Sequence, residues 1–165
     1  MFDVEERTKI SDFLKKHAGT VYIGCDSQRI KKRQARYTVV LVVHINDCEG
    51  CKIFGYTTIE KDFDAKKNKP RMRLMNEVYK TVETYLEFAE LLEDRKVEIH
   101  VDVNSDESCN SHIVFNEAFG YVLGMTGIKP KMKPEAFIAS HTADHMVRKA
   151  TCCGMTEGCS SVLWQ

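Results

Sequence analysis

Four acidic residues stand where divalent-metal chemistry would need them: Asp26, Glu77, Asp102 and Asp144. Asp26 follows the apolar run Val21-Tyr-Ile-Gly-Cys, and Asp102 lies inside Ile99-His-Val-Asp-Val103. A carboxylate in such a place is poorly solvated and needs a cation or hydrogen-bond donors. Two of them side by side raise one another's pKa, and a bound Mg²⁺ or Mn²⁺ removes that penalty. Taken singly, each also reads as a salt-bridged strand end. Glu77 falls in the first two turns of a helix, just outside its apolar arc. Asp144 falls near the start of the last helix, where the helix dipole alone favours an acid. Oxygen ligands of this kind suit Mg²⁺ or Mn²⁺ rather than zinc. Two such ions, roughly 4 Å apart, would activate a water and stabilise the leaving oxygen in phosphodiester hydrolysis. One of the acids, or His100 or His141, would assist proton transfer. Histidines so placed more often pack or hydrogen-bond.

Positioning these acids is the task of the flanking elements. Residues 1–18 read as a short amphipathic helix with Val4, Ile10, Phe13 and Leu14 on one side. Val21-Tyr-Ile-Gly-Cys-Asp-Ser-Gln28 reads as a central strand that stops at its polar triplet, followed by a basic loop. Tyr37-Thr-Val-Val-Leu-Val-Val-His-Ile45 is rich in β-branched residues and is the clearest strand. A turn over 46–50 leads into a third strand, Lys52-Ile-Phe-Gly-Tyr-Thr-Thr-Ile59. A long helix is predicted from about 71 to 93, with Leu74, Val78, Val82, Tyr85, Leu86, Ala89 and Leu92 at helical spacing. Then come a strand over 97–103, a helix over about 111–124 with Ile113, Val114, Ala118, Tyr121 and Val122 inside, a fifth strand over 136–139, and a last helix from near Ser140.

Three strands in a row pair antiparallel, and a strand separated from them by a long helix adds parallel to the first. The expected fold is therefore α/β: a mixed five-stranded sheet, three antiparallel strands then two parallel, with helices on both faces and one extra N-terminal helix. That order is the ribonuclease H-like plan. It fills one domain over 1–165, with a core over 20–150 and a cysteine-containing tail over 151–165.

Composition narrows the function. The chain has 165 residues, enough for one core, and its 24 basic and 24 acidic residues cancel. A body that grips nucleic acid everywhere is excluded, so any such contact comes from local patches. Lys66, Lys67, Lys69, Arg71 and Arg73 precede Glu77 and read equally as a guide for a phosphate backbone and as solubility with edge protection. Arg29, Lys31, Lys32, Arg33 and Arg36 read instead as solubility and edge protection. The acidic N-terminus lacks the plan of a signal peptide, and no apolar run reaches the roughly 18 residues of a membrane span. Seven unevenly spaced cysteines argue for reduced thiols in a cytoplasmic setting rather than for disulfides. Cys48-x-x-Cys51 has no matched second pair and is a weak zinc signal. Asp102-x-Asn104-x-Asp106 opens like a calcium loop but lacks its later glycine and glutamate.

Several of these segments together carry a family likeness. Gly24-Cys-Asp-Ser-Gln28, Arg73-Leu-Met-Asn-Glu77, His100-Val-Asp-Val103, Gly120-Tyr-Val-Leu-Gly124, Lys133-Pro134 and Ala139-Ser-His-Thr-Ala-Asp144 occur in order. With this set the chain resembles the YkuK-type ribonuclease H-like nucleases from about 21 to 147. The resemblance implies the fold just described, a divalent-metal site and a nuclease role. It carries Asp26, Glu77, Asp102 and Asp144 to the ligand positions. The acidic loop Asn104-Ser-Asp-Glu-Ser-Cys109 departs from that pattern, and the tail from Cys152 to Gln165 has no counterpart in it.

The expected activity is Mg²⁺- or Mn²⁺-dependent hydrolysis of RNA, RNA–DNA hybrid or structured DNA. Asp26, Glu77, Asp102, Asp144 and His100 would act at the reacting centre. Ser27, Gln28, Lys69, Arg71, Arg73 and Lys133 would meet the nucleic acid. The alternative is a catalytically inactive module of the same fold that binds nucleic acid or protein. A thiol- or zinc-based redox protein is a third reading, resting on the cysteines alone.

Overall fold

The computed structural model describes residues 1–31, 33–64, 70–136 and 162–164. The chain begins with helix α1 (Val4–Lys16), started by a capping box in which the Asp3 carboxylate accepts from the Glu6 N–H at 2.8 Å. Ile10 and Leu14 are its buried residues, whereas Val4 faces solvent and Phe2, just before the cap, is buried in its place. Strands β1 (Gly19–Lys31), β2 (Gln34–Ile45) and β3 (Cys51–Lys61) follow as an antiparallel meander. The expected end of β1 at the polar triplet is corrected: Asp26, Ser27, Gln28 and Arg29 pair with Thr38, Tyr37, Arg36 and Ala35. The ladder of β2 carries these polar residues, so the basic stretch is a hairpin rather than a loop.

Helix α2 (Arg71–Glu87) and the single turn α3 (Ala89–Leu92) replace the one long helix predicted. The break is at Phe88, whose ring turns into a cluster with Phe2, Ile10, Leu14 and Leu92. Leu86, read as inward, is exposed. Strand β4 (Val97–Asn104) then pairs parallel to β1, from Val21↔Val97 to Cys25↔Val101. A 3₁₀ turn (Asn110–Val114) precedes helix α4 (Phe115–Thr126); Ile113, on that turn, is exposed rather than buried. Strand β5 (Lys131–Lys133) adds parallel to β4. The fifth strand thus lies before the 136–139 stretch expected: Met132 is the inward residue, Pro134 ends the strand because it has no N–H to give, and Ala136, the one described residue of that stretch, closes the following turn. Residues 137–139 and the helix expected from Ser140 lie outside the described residues. A short β6 (Val162–Trp164) pairs with the start of β3, so the sheet order is β5-β4-β1-β2-β3-β6.

Alternation along the strands divides the sheet into two faces. Val21, Ile23, Leu41, Val43, Ile99, Val101 and Val103 point to the face packed by α1, α2, α3 and α4. Every helix among the described residues lies there. Tyr22, Asp26, Val40, Val42, His100 and Asp102 point to the other face, where Val40 and Val42 are also buried. Among the described residues no helix is long and apolar enough to cross a membrane.

Two local devices fix the frame. Gly19 opens β1 at φ +122°, and a Cβ there would come 1.9 Å from the His44 carbonyl oxygen. The N-terminus of α2 is capped from a distance: the Asp64 carboxylate accepts from the Met72 and Arg73 N–H groups, each at 2.9 Å. Gly19→Ala is therefore expected to cost at least about 1 kcal/mol, read as a lower thermal midpoint. Asp64→Ala should cost about 1 kcal/mol through the lost cap, and an unchanged midpoint would refute that role.

Candidate functional site

Strands β1 and β4 run side by side only as far as Cys25 and Val101. The next residue on each is an acid, Asp26 and Asp102, and both point away from the helices. Two carboxylates thus meet where a parallel pair splays, a place where the main chain no longer fills the gap between strands. Ser27, one residue on, points to the opposite face and is met there by Glu77 from α2. The Ser27 hydroxyl donates to Glu77 Oε1 and accepts from Arg73 Nη1 at 2.7 Å; Arg73 also donates to the Ser27 carbonyl at 2.8 Å. Arg73 Nη1 stands 3.8 Å from Glu77 Oε1.

Charge in this region is costly. Burial, then the neighbouring Asp102 carboxylate, push Asp26 up to about 6, although the Ser27 N–H bonds its Oδ1 at 2.8 Å. Glu77 is almost wholly buried, and burial followed by Asp26 drives its carboxyl well above the usual range. The Lys133 ammonium, from β5, forms an ion pair with Asp102 Oδ1. Three carboxylates are thus offset by two cations, Arg73 and Lys133. Among the described residues no three His, Cys, Asp or Glu side chains are grouped as metal ligands. Asp26 and Asp102 share one face of the sheet, and Glu77 approaches from the helix side, near enough for the charges of both acids to raise it.

The remaining expected site residues are placed as follows. His100 is fully buried on the Asp102 face, with Nε2 3.5 Å from Glu98 and its ring 5.8 Å from that of Tyr22; burial lowers its pKa. That setting supports a packing role. Gln28 is exposed on β1, and Arg71 is exposed and paired to Glu117 at 2.8 Å. Asp144, His141, Lys66, Lys67 and Lys69 lie outside the described residues. Arg29 of the first basic cluster donates to Asp62 and, at 3.0 Å, to the Asp64 carbonyl, so it ties the hairpin to the α2 cap. Sequence reasoning missed Asp62 and Asp64, because a cap is sought directly before its helix and here residues 65–70 intervene. It also read Lys133 and Arg73 only as contacts for nucleic acid and not as partners of the acids. Cys25, Cys48, Cys51 and Cys109 are free thiols.

A family model described as ribonuclease H-like matches residues 5–148. No curated protein and no solved structure matches the chain.

The raised Asp26 sets a sign for pH dependence. The folded state holds this proton up to about pH 6, whereas an unfolded Asp releases it at about 4. Folding therefore takes up a proton between those values, and stability falls as pH rises through that window. The cost is complete above it and amounts to about 3 kcal/mol at most. Asp26→Asn keeps the acceptor for Ser27 and removes the charge. The metal-free variant should melt higher than the parent at pH 7.5 and close to it near pH 4. A lower midpoint at pH 7.5 would instead mark Asp26 as a structural ion-pair partner.

Proposed function

The chain belongs to the ribonuclease H-like family, and from this premise we propose that it is a divalent-metal-dependent nuclease. The observation that carries this reading is the meeting of Asp26 and Asp102 at the point where β1 and β4 separate, with Glu77 close enough to feel the Asp26 charge and Arg73 and Lys133 beside them. A fold that needed only stability would gain nothing by concentrating like charges in a partly dry site.

The donor set fits a hard divalent cation: carboxylate oxygens only, in excess over the local positive charge. Asp26 and Asp102 would hold it, with Glu77 and Asp144 as the further oxygen donors of the family pattern. Mg²⁺ or Mn²⁺ bound there would supply an acidified water and offset charge on the leaving oxygen. The chain's own groups supply the rest. Ser27 fixes the Glu77 carboxylate through its hydroxyl, and Arg73, braced by Ser27, keeps a guanidinium beside the acids. Arg73 and Lys133 offer the positive charge that a phosphodiester would meet. With zero formal net charge, affinity for the chain of phosphates rests on local groups, among the described residues these and Arg71. RNA, RNA–DNA hybrid and structured DNA all present that backbone.

One observation favours a second reading. Lys133 already sits on Asp102, and the described acids are not grouped as ligands. A non-catalytic nucleic-acid-binding module would look the same. Cleavage of single-stranded RNA, RNA–DNA hybrid and branched DNA, followed with Mn²⁺, Mg²⁺ or EDTA, separates the two. The nuclease reading expects metal-dependent cleavage that Asp26→Asn and Asp102→Asn each reduce by more than about a hundredfold, beyond what outer-shell groups ordinarily contribute. Binding that survives EDTA, with no cleavage of any substrate by the parent protein, would establish the module instead.

A further inference from the structure

We propose that Lys133 is a displaceable counter-ion of the carboxylate site: its ammonium occupies Asp102 Oδ1 until a divalent cation takes that oxygen. The inference rests on the metal-dependent reading above and concerns how that site is regulated.

Three features of the contact support it. The first is placement. The β4–β5 pairing runs His100↔Lys131 and Val101↔Met132, then shifts, so that Lys133 is registered with Asn104. Lys131 and Lys133 flank inward Met132, and Lys133 therefore points to the face that carries Asp102 and Asp26. From there its stem reaches back to Asp102. The second is access. The Asp102 side chain is 17% exposed and that of Lys133 is 38% exposed. The ammonium thus approaches from the solvent side and can leave without disturbing the core.

The third is contrast with the other cation. Arg73 is held by both the carbonyl and the hydroxyl of Ser27 and has half the exposure of Lys133. It is a fixture of the α2–β1 contact. Lys133 has a flexible four-carbon stem and one carboxylate oxygen as its partner in the site. An ammonium and a divalent cation on one carboxylate oxygen would stand a few ångströms apart in a partly dry site and repel each other, so each weakens the binding of the other. In the metal-free protein, Lys133 offsets the repulsion between Asp102 and Asp26. Once displaced, the same ammonium is free to meet a phosphate, and metal and phosphate binding then strengthen each other reciprocally.

The test uses the full chain and Mn²⁺ alone, with free Mn²⁺ counted by electron paramagnetic resonance and metal-free thermal midpoints measured in parallel. Lys133→Met should bind Mn²⁺ about fivefold more tightly or better, the lower end of ordinary coupling between linked sites. Its metal-free midpoint should fall at pH 7.5, and Mn²⁺ should raise it further than it raises the parent's. Lys131→Met, on the same strand and paired to Glu135 instead, should change neither reading. Lys133→Gln serves if the Met variant does not fold; failure of both to fold would make the ammonium a structural fixture and overturn the proposal. Mn²⁺ affinity that is unchanged or weaker in the Lys133 variant, beside a parent that binds Mn²⁺, overturns the counter-ion role and leaves the nuclease reading standing. A parent and variants that all fail to bind Mn²⁺ bring down the metal-dependent reading, and this inference with it.

Discussion

Carboxylates withdrawn from water are the constraint around which this molecule is arranged. An ionised acid that is largely buried costs several kcal/mol unless donors or opposite charges surround it. Asp26, Glu77 and Asp102 answer that cost in three different ways. Glu77 takes a hydroxyl and a nearby guanidinium, Asp102 takes an ammonium, and Asp26 takes a main-chain N–H; burial still pushes Glu77 well above the usual carboxylate range, and burial with the neighbouring Asp102 pushes Asp26 up to about 6. The compensation is drawn from four elements distant in sequence: β1, α2, β4 and β5. The electrostatics of the site therefore depends on tertiary structure being in place, and no isolated segment could reproduce it.

The sheet provides the opening that makes such a cluster possible. While β1 is flanked by β2 on one side and β4 on the other, its main-chain groups are satisfied from both sides. At Asp26 it parts from β4 but stays laddered to β2 as far as Lys31. One strand is thereby rigid enough to aim side chains and open enough to expose them. The capping of α2 by Asp64, itself tied through Asp62 and Arg29 to the far end of the same hairpin, holds Arg73 and Glu77 against that opening.

Much of this was legible in the sequence, for identifiable reasons. The β-branched run from Tyr37 to Ile45 can be little other than a buried strand, and the spacing of Leu74, Val78 and Val82 describes the inner stripe of α2. The pairing of β1 with β4 followed from the helix between them, and with it the meeting of Asp26 and Asp102. What stayed hidden depended on partners rather than on local pattern. Asp26, Ser27, Gln28 and Arg29 are strand because β2 pairs with them. Phe2 displaces Val4 because the Asp3 cap turns the chain back before the helix begins. The short β5 escaped notice because Lys131-Met-Lys133 is only three residues long and carries a single apolar residue. The contacts of Ser27 with Glu77 and of Lys133 with Asp102 depend on side-chain reach and on the shift in the β4–β5 register, neither of which has a signature in residue spacing.

The change of face between Asp26 and Ser27 has one more effect. Sliding β1 by a single residue against β2 and β4 would turn Asp26 toward Val39, Tyr37 and the helix layer, and would turn Ile23 and Cys25 outward. An acid would then stand in the apolar layer beside the buried Glu77 and away from Lys133. Mispaired sheets are a common hazard of long, strongly β-forming hairpins, and here one charged side chain adds to the apolar burial that a slip would lose. The residue suited to chemistry would thus also count against a slipped strand.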